Sequence, residues 1–119
     1  MNLAVFVTFG KENIDKATIS LTLANAAVDQ GDKVTVIFMA EGVRLANKSY
    51  SDVLANGEPF KPIGELISAL QTKGAQLNVC KPCMVNRKMG DDQVMSGIQL
   101  IVGTDVLRIL KESDKSIQL

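Results

Sequence analysis

The chain has 119 residues, 46% hydrophobic and 22% charged, with thirteen basic and thirteen acidic side chains and a formal net charge of zero; this suits one domain with a modest core. Balanced, scattered charge offers nothing to nucleic acid or an anionic membrane, and the absence of histidine excludes Ser-His or Cys-His catalytic pairs and histidine-containing metal sites within one chain. The opening MNLAVFVTFG carries neither a basic leader nor a membrane-length apolar run, so the expected location is the cytoplasm, where thiols stay reduced and a close cysteine pair points to catalysis or metal binding rather than a structural disulfide.

In chain order, Leu3 to Phe9 is an almost unbroken apolar run ending at Gly10, as in a strand buried on both faces. Asn13 is placed to cap a helix whose inner face is Ile14, Ala17, Leu21, Ala24 and Val28, at spacings of three and four, with Gly31 as its stop. Lys33 to Met39 reads as a second buried strand. Strand, helix and strand within about 40 residues form a βαβ unit, which implies parallel pairing and a right-handed crossover. Glu41 to Asn47 suits a short helix. The polar stretch Lys48 to Pro62 has no clear period beyond a possible helical turn at Asp52 to Leu54, and a loop of that length is a candidate flap, interface element or disordered segment.

Ile63, Leu66, Ile67 and Leu70 define a second helix face closed by Gly74, and Ala75 to Val79 alternates as a third strand that runs directly into Cys80. Pro82 to Met89 suits one or two helical turns, and a further short helix around Asp91 to Met95 leads to Gly97. Ile98 to Val102 is a fourth strand. Thr104 or Asp105 is placed to cap a last helix with Val106, Leu107 and Leu110 facing inward. Ser116 to Leu119 suits a short final strand. The alternation predicts one α/β domain over residues 1–119: a three-layer α/β/α sandwich around a mostly parallel sheet of about five strands. Sites in such sheets lie at the carboxyl ends of the strands, and Cys80 stands at one of them.

Composition alone favours two inert core cysteines. The position of Cys80-Lys81-Pro82-Cys83 at a strand-to-helix junction reverses that preference. Pro82 suits a first helical turn, and a sulfur at the helix N-cap would face free backbone N–H groups and the positive end of the dipole, which favours thiolate. Lys81, Arg87 and Lys88 are close in sequence and could add to that. Zinc needs about four ligands, and one C-x-x-C supplies two. A dithiol redox role is the more serious rival, since C-x-P-C is similar to the thioredoxin motif. The chain, however, has no Trp, and its pair comes late. Gly10 lacks a phosphate-loop spacing and reads as a turn. Asp91-Asp92, Glu58 and Glu65 read as solvated faces rather than an acid–base pair.

Taken together, the block VFVTFGKENIDKATISLTLANAAVDQGDKVTVIFMAEGVRLA, with its turn Glu41-Gly42-Val43, and the block GAQLNVCKPCMVNRKMGDDQVMSGIQLIVGTDVLRIL resemble the DsrE/DsrF-like sulfur-relay family over nearly the whole chain. The resemblance implies a Rossmann-like fold, no cofactor and no metal. It also implies a sulfur-carrying role for Cys80, which would take a sulfane sulfur as a persulfide and pass it to a partner thiol. Cys83 is the second candidate catalytic residue, able to resolve the persulfide, assist the first thiol or simply pack. Implied partners are sulfur donor and acceptor proteins and further copies of the chain, as a trimer or hexamer; implied activity is that of a sulfurtransferase or sulfur carrier. The stretch Lys48 to Pro62 is then a candidate cover for the site. The alternatives are a non-catalytic binding module with silent cysteines and a dithiol redox protein using Cys80 and Cys83.

Overall fold

A computed structural model describes residues 1–119. Five strands, β1 (Asn2–Val7), β2 (Lys33–Phe38), β3 (Gln76–Cys80), β4 (Ile98–Ile101) and β5 (Lys115–Gln118), form one sheet in the order β4-β3-β2-β1-β5. Every pairing is parallel. Helices α1 (Ile14–Asp29), α2 (Lys48–Ser51), α3 (Ile63–Thr72), α4 (Lys81–Asn86) and α5 (Gly103–Glu112) connect the strands, with tight 3-10 turns at Lys11–Asn13, Ala40–Ala46 and Asp91–Gln93. No helix is long and apolar enough to cross a membrane.

The strand order decides which face each helix covers. From β1 to β4 the chain steps in one direction, so right-handed crossovers put α1, α3 and α4 on one face. The return from β4 across the sheet to β5 puts α5 alone on the other. The period-two alternation of the strands sorts the core accordingly. Leu3, Val5, Val7, Val36, Phe38, Leu77 and Val79 pack with Ala17, Leu21, Ile63, Leu70 and Met84 in the larger cluster. Ala4, Phe6, Ile37 and Ile101 meet Val106 and Ile109 of α5 in a smaller one.

Several local expectations hold. Asn13 caps α1, its Oδ1 accepting the Lys16 N–H at 3.1 Å. Gly31 ends that helix at φ 92°, a conformation that side-chain-bearing residues rarely adopt. The face Ile63, Leu66, Ile67 and Leu70 of α3 is buried as expected. The last helix corrects the sequence reading in two ways. Val102 is the N-cap, and Asp105 returns its carboxylate to the Val102 N–H at 2.9 Å, so neither Thr104 nor Asp105 caps. The inward residues are Val106 and Ile109, whereas Leu107 and Leu110 remain 56% and 39% exposed. Only one narrow helix contact reaches this face of the sheet, and a three-residue spacing satisfies it.

The long connection after β2 is also more ordered than expected. Asn47 caps the single turn α2 through the Ser49 N–H at 3.1 Å. Asn56 donates to Asp15 at 3.0 Å, and Pro59, Phe60 and Lys61 lie beside Thr22 and Asn25 of α1. Its second half therefore runs along α1.

Candidate functional site

Helix α4 follows β3, and α5 follows β4, on opposite faces of the sheet. Adjacent parallel strands whose connections leave on opposite sides open a crevice at their carboxyl ends, the usual place for a ligand or reacting group in an open α/β sheet. Cys80 is the last residue of β3, its Cα paired with that of Ile101 at the end of β4. It is also the N-cap of α4, in an extended conformation, with Pro82 in the first turn where a missing N–H is tolerated. Cys83 sits three residues on, one helical turn away. Both thiols are free; Cys80 is buried and Cys83 half-buried.

The electrostatics of Cys80 overturn the expectation of an activated thiolate. Burial pushes its thiol up from the ordinary value, and the facing Cys83 thiol adds to the rise. The Cys83 backbone N–H and the Arg87 guanidinium pull the other way and do not prevail. The helix contributes less than the spacing implies, because α4 has only six residues and the pull of its Cys83 N–H on the Cys80 sulfur is outweighed by burial. At rest Cys80 is a protonated, shielded sulfur.

An ion pair between Glu41 and Arg87, which the sequence gave no reason to join, holds this segment. Glu41, in the turn after β2, accepts from Arg44 Nε at 2.8 Å and from Arg87 Nε at 2.6 Å, one carboxylate oxygen each. Arg87 continues the chain, donating through Nη1 to the Cys83 carbonyl at 3.2 Å. The two guanidiniums, Arg87 foremost, hold the Glu41 carboxyl below its ordinary value against the opposing effect of burial. The turn that carries Glu41 is anchored by Gly42, where a Cβ would fall 2.0 Å from the Val7 carbonyl oxygen. The signal for Glu41 was its place in the Glu41-Gly42-Val43 turn; nothing in the spacing linked it to Arg87. Of the other basic candidates, Lys81 pairs with Asp91 and so turns away from a purely thiol-directed role. The only non-glycine residues with left-handed backbone, Ala40 at φ 50° and Lys88 at φ 55°, flank this same Glu41–Arg87 contact.

A model of the DsrE/DsrF-like family matches residues 1–119. The uncharacterized protein MK0008 of Methanopyrus kandleri is 26% identical over 103 residues, spanning 87% of this chain and 81% of that protein. The uncharacterized protein MJ0989 of Methanocaldococcus jannaschii is 26% identical over 114 residues, 96% of each. Among solved structures, the ychN protein from E. coli superposes with a TM-score of 0.81 at 15% identity, over 100% of this chain and 99% of its own, a likeness of fold.

Proposed function

The chain belongs to the DsrE/DsrF-like family, and from that premise we propose that it is a sulfur-relay protein in which Cys80 carries a sulfane sulfur as a persulfide. The observation that supports this most is the position of Cys80 at the carboxyl end of β3, beside the end of β4, and at the head of α4. In the loading step, the Cys80 thiolate attacks the outer sulfur of a donor persulfide. A new S–S bond forms, the donor's S–S bond breaks, and the donor leaves as a thiolate. In the unloading step, an acceptor thiolate attacks the same outer sulfur and releases Cys80 as thiolate. Burial serves this role by shielding the resting sulfur from oxidation. It also imposes a constraint, since the rate follows the fraction of thiolate, which burial lowers.

The donor and acceptor in this reading are cysteine proteins of the cytoplasm, and the chain works as a homo-oligomer, trimer or hexamer. The exposed Leu107 and Leu110 of α5 and the exposed C-terminal Leu119 are apolar surface that such an assembly would cover. The test is intact-mass analysis after incubation with a persulfide donor. A gain of about 32 Da, one sulfur, lost in Cys80→Ser and kept in Cys83→Ser, is expected. No gain with any donor, or a gain that survives Cys80→Ser, overturns the assignment.

The facing thiols support a second reading, a dithiol redox pair. That reading requires a loss of about 2 Da on mild oxidation, as Cys80 and Cys83 each give up a proton and an electron to form one disulfide.

A further inference from the structure

Beside the thiol segment, on the carboxyl-end face of the sheet, lies a pocket of about 100 Å³ lined in part by Arg44, Asn47, Tyr50, Arg87, Lys88 and Gln93. Three of its hydrogen-bonding side chains already accept a hydrogen bond from the protein and have donors to spare. Asn47 Oδ1 accepts the Ser49 N–H at 3.1 Å, leaving the Nδ2 donors. Gln93 Oε1 accepts the Gly90 N–H at 2.8 Å, leaving the Nε2 donors. The Tyr50 oxygen accepts the Lys11 N–H at 2.8 Å, so its own O–H is left to donate. Arg44 gives only Nε to Glu41, and Arg87 gives Nε to Glu41 and Nη1 to Cys83, so each keeps donors in hand. Lys88 makes no ion pair, while both oxygens of Glu41 are already engaged and Glu41 does not line the pocket. The cavity thus presents three cations, with one carboxylate behind two of them, and a set of unspent donors.

A second, independent feature marks Lys88. It ends α4 in the left-handed conformation at φ 55°, a place where glycine or asparagine is the unstrained choice. Residues held in such a conformation cluster at ligand clamps and other functional sites.

We propose that this pocket binds a small, multiply charged oxyanion of the size of sulfate or phosphate. Its volume corresponds to about three water molecules, enough for a five-atom anion and far below the several hundred Å³ of a site for a nucleotide or a drug-sized ligand. Arg87 belongs both to the pocket and to the hydrogen bond that holds the Cys83 carbonyl, so a bound anion sits against the residue that tethers the thiol helix. The site stands on donors and charge alone and does not depend on sulfur transfer.

The test is titration of the full chain with sodium sulfate and, separately, sodium phosphate, at ionic strength held constant with sodium chloride. Binding is followed by calorimetry and by amide chemical shifts. Saturable binding is expected, with the largest shifts at residues 44–50 and 87–93, and the two probes distinguish a sulfur from a phosphorus oxyanion by affinity. Lys88→Gly relieves the left-handed strain, so its melting temperature should hold or rise while affinity falls tenfold or more. Arg44→Met should weaken binding similarly, and Lys61→Ala, remote from the pocket, should not. A response no different from that to chloride, or full affinity in both Lys88→Gly and Arg44→Met, overturns the proposal.

Discussion

Cys80 and Cys83 differ in what surrounds them more than in where they stand. The buried Cys80 meets an apolar interior and a second thiol, both of which favour the neutral form, and the Arg87 guanidinium only partly offsets them. Alkylation with iodoacetamide should therefore label the half-buried Cys83 first. The Cys80 rate, measured in Cys83→Ser, should keep climbing with pH beyond the range of an ordinary thiol, and Arg87→Met should move its inflection higher still. A Cys80 rate that levels off near neutrality would show an activated thiolate instead. Glu41 titrates in the opposite sense. Its carboxyl is held below the ordinary value by Arg87 and Arg44, so the stability it confers is present above that ordinary value and is lost as pH falls through the depressed one. Glu41→Gln should flatten the acid limb of a stability-against-pH curve and leave the curve above pH 6 parallel to that of the wild type.

Among the elements, the short turn after β2 sets the site more firmly than its length suggests. Gly42 lies against the β1 backbone, and a methyl group there would meet the Val7 carbonyl rather than a side chain that could move aside. Gly42→Ala should cost about 2–3 kcal/mol in denaturant unfolding, and by shifting Glu41 it should also loosen the tether to Arg87. Unchanged stability would mean the turn can relax. The elements differ in how legible they were. The face of α3 was readable because its four apolar residues all reach a broad core on the three-helix side. In α5 apolar residues occupy four positions, Val106, Leu107, Ile109 and Leu110, and the sequence cannot say which pair meets the sheet. The smaller core on that side takes Val106 and Ile109. The connection after β2 had no period to read, because polar caps and cross-links hold it: Asn47 onto Ser49 and Asn56 onto Asp15.

For the whole molecule, the single helix on one face leaves Leu107 and Leu110 partly in solvent. On the proposed reading these residues are covered by further copies of the chain. Sedimentation equilibrium should then find an oligomer that Leu107→Glu with Leu110→Lys dissociates while the far-ultraviolet circular dichroism is unchanged; a monomeric wild type would remove that part of the proposal. Near neighbours along the chain suffice for the buried strands of unbroken apolar runs, the helix faces of three- and four-residue spacing, the Asn13 cap, and a cysteine at the end of β3. Tertiary structure alone decided the rest. The order β4-β3-β2-β1-β5 sends α4 and α5 to opposite faces and so makes the ends of β3 and β4 a topological switch point. The same packing buries Cys80 and reverses the expected direction of its acidity. It also brings Glu41 to Arg87 across 46 positions of chain. Pairing and desolvation at that range are set by how the layers close on one another, and no local pattern encodes them.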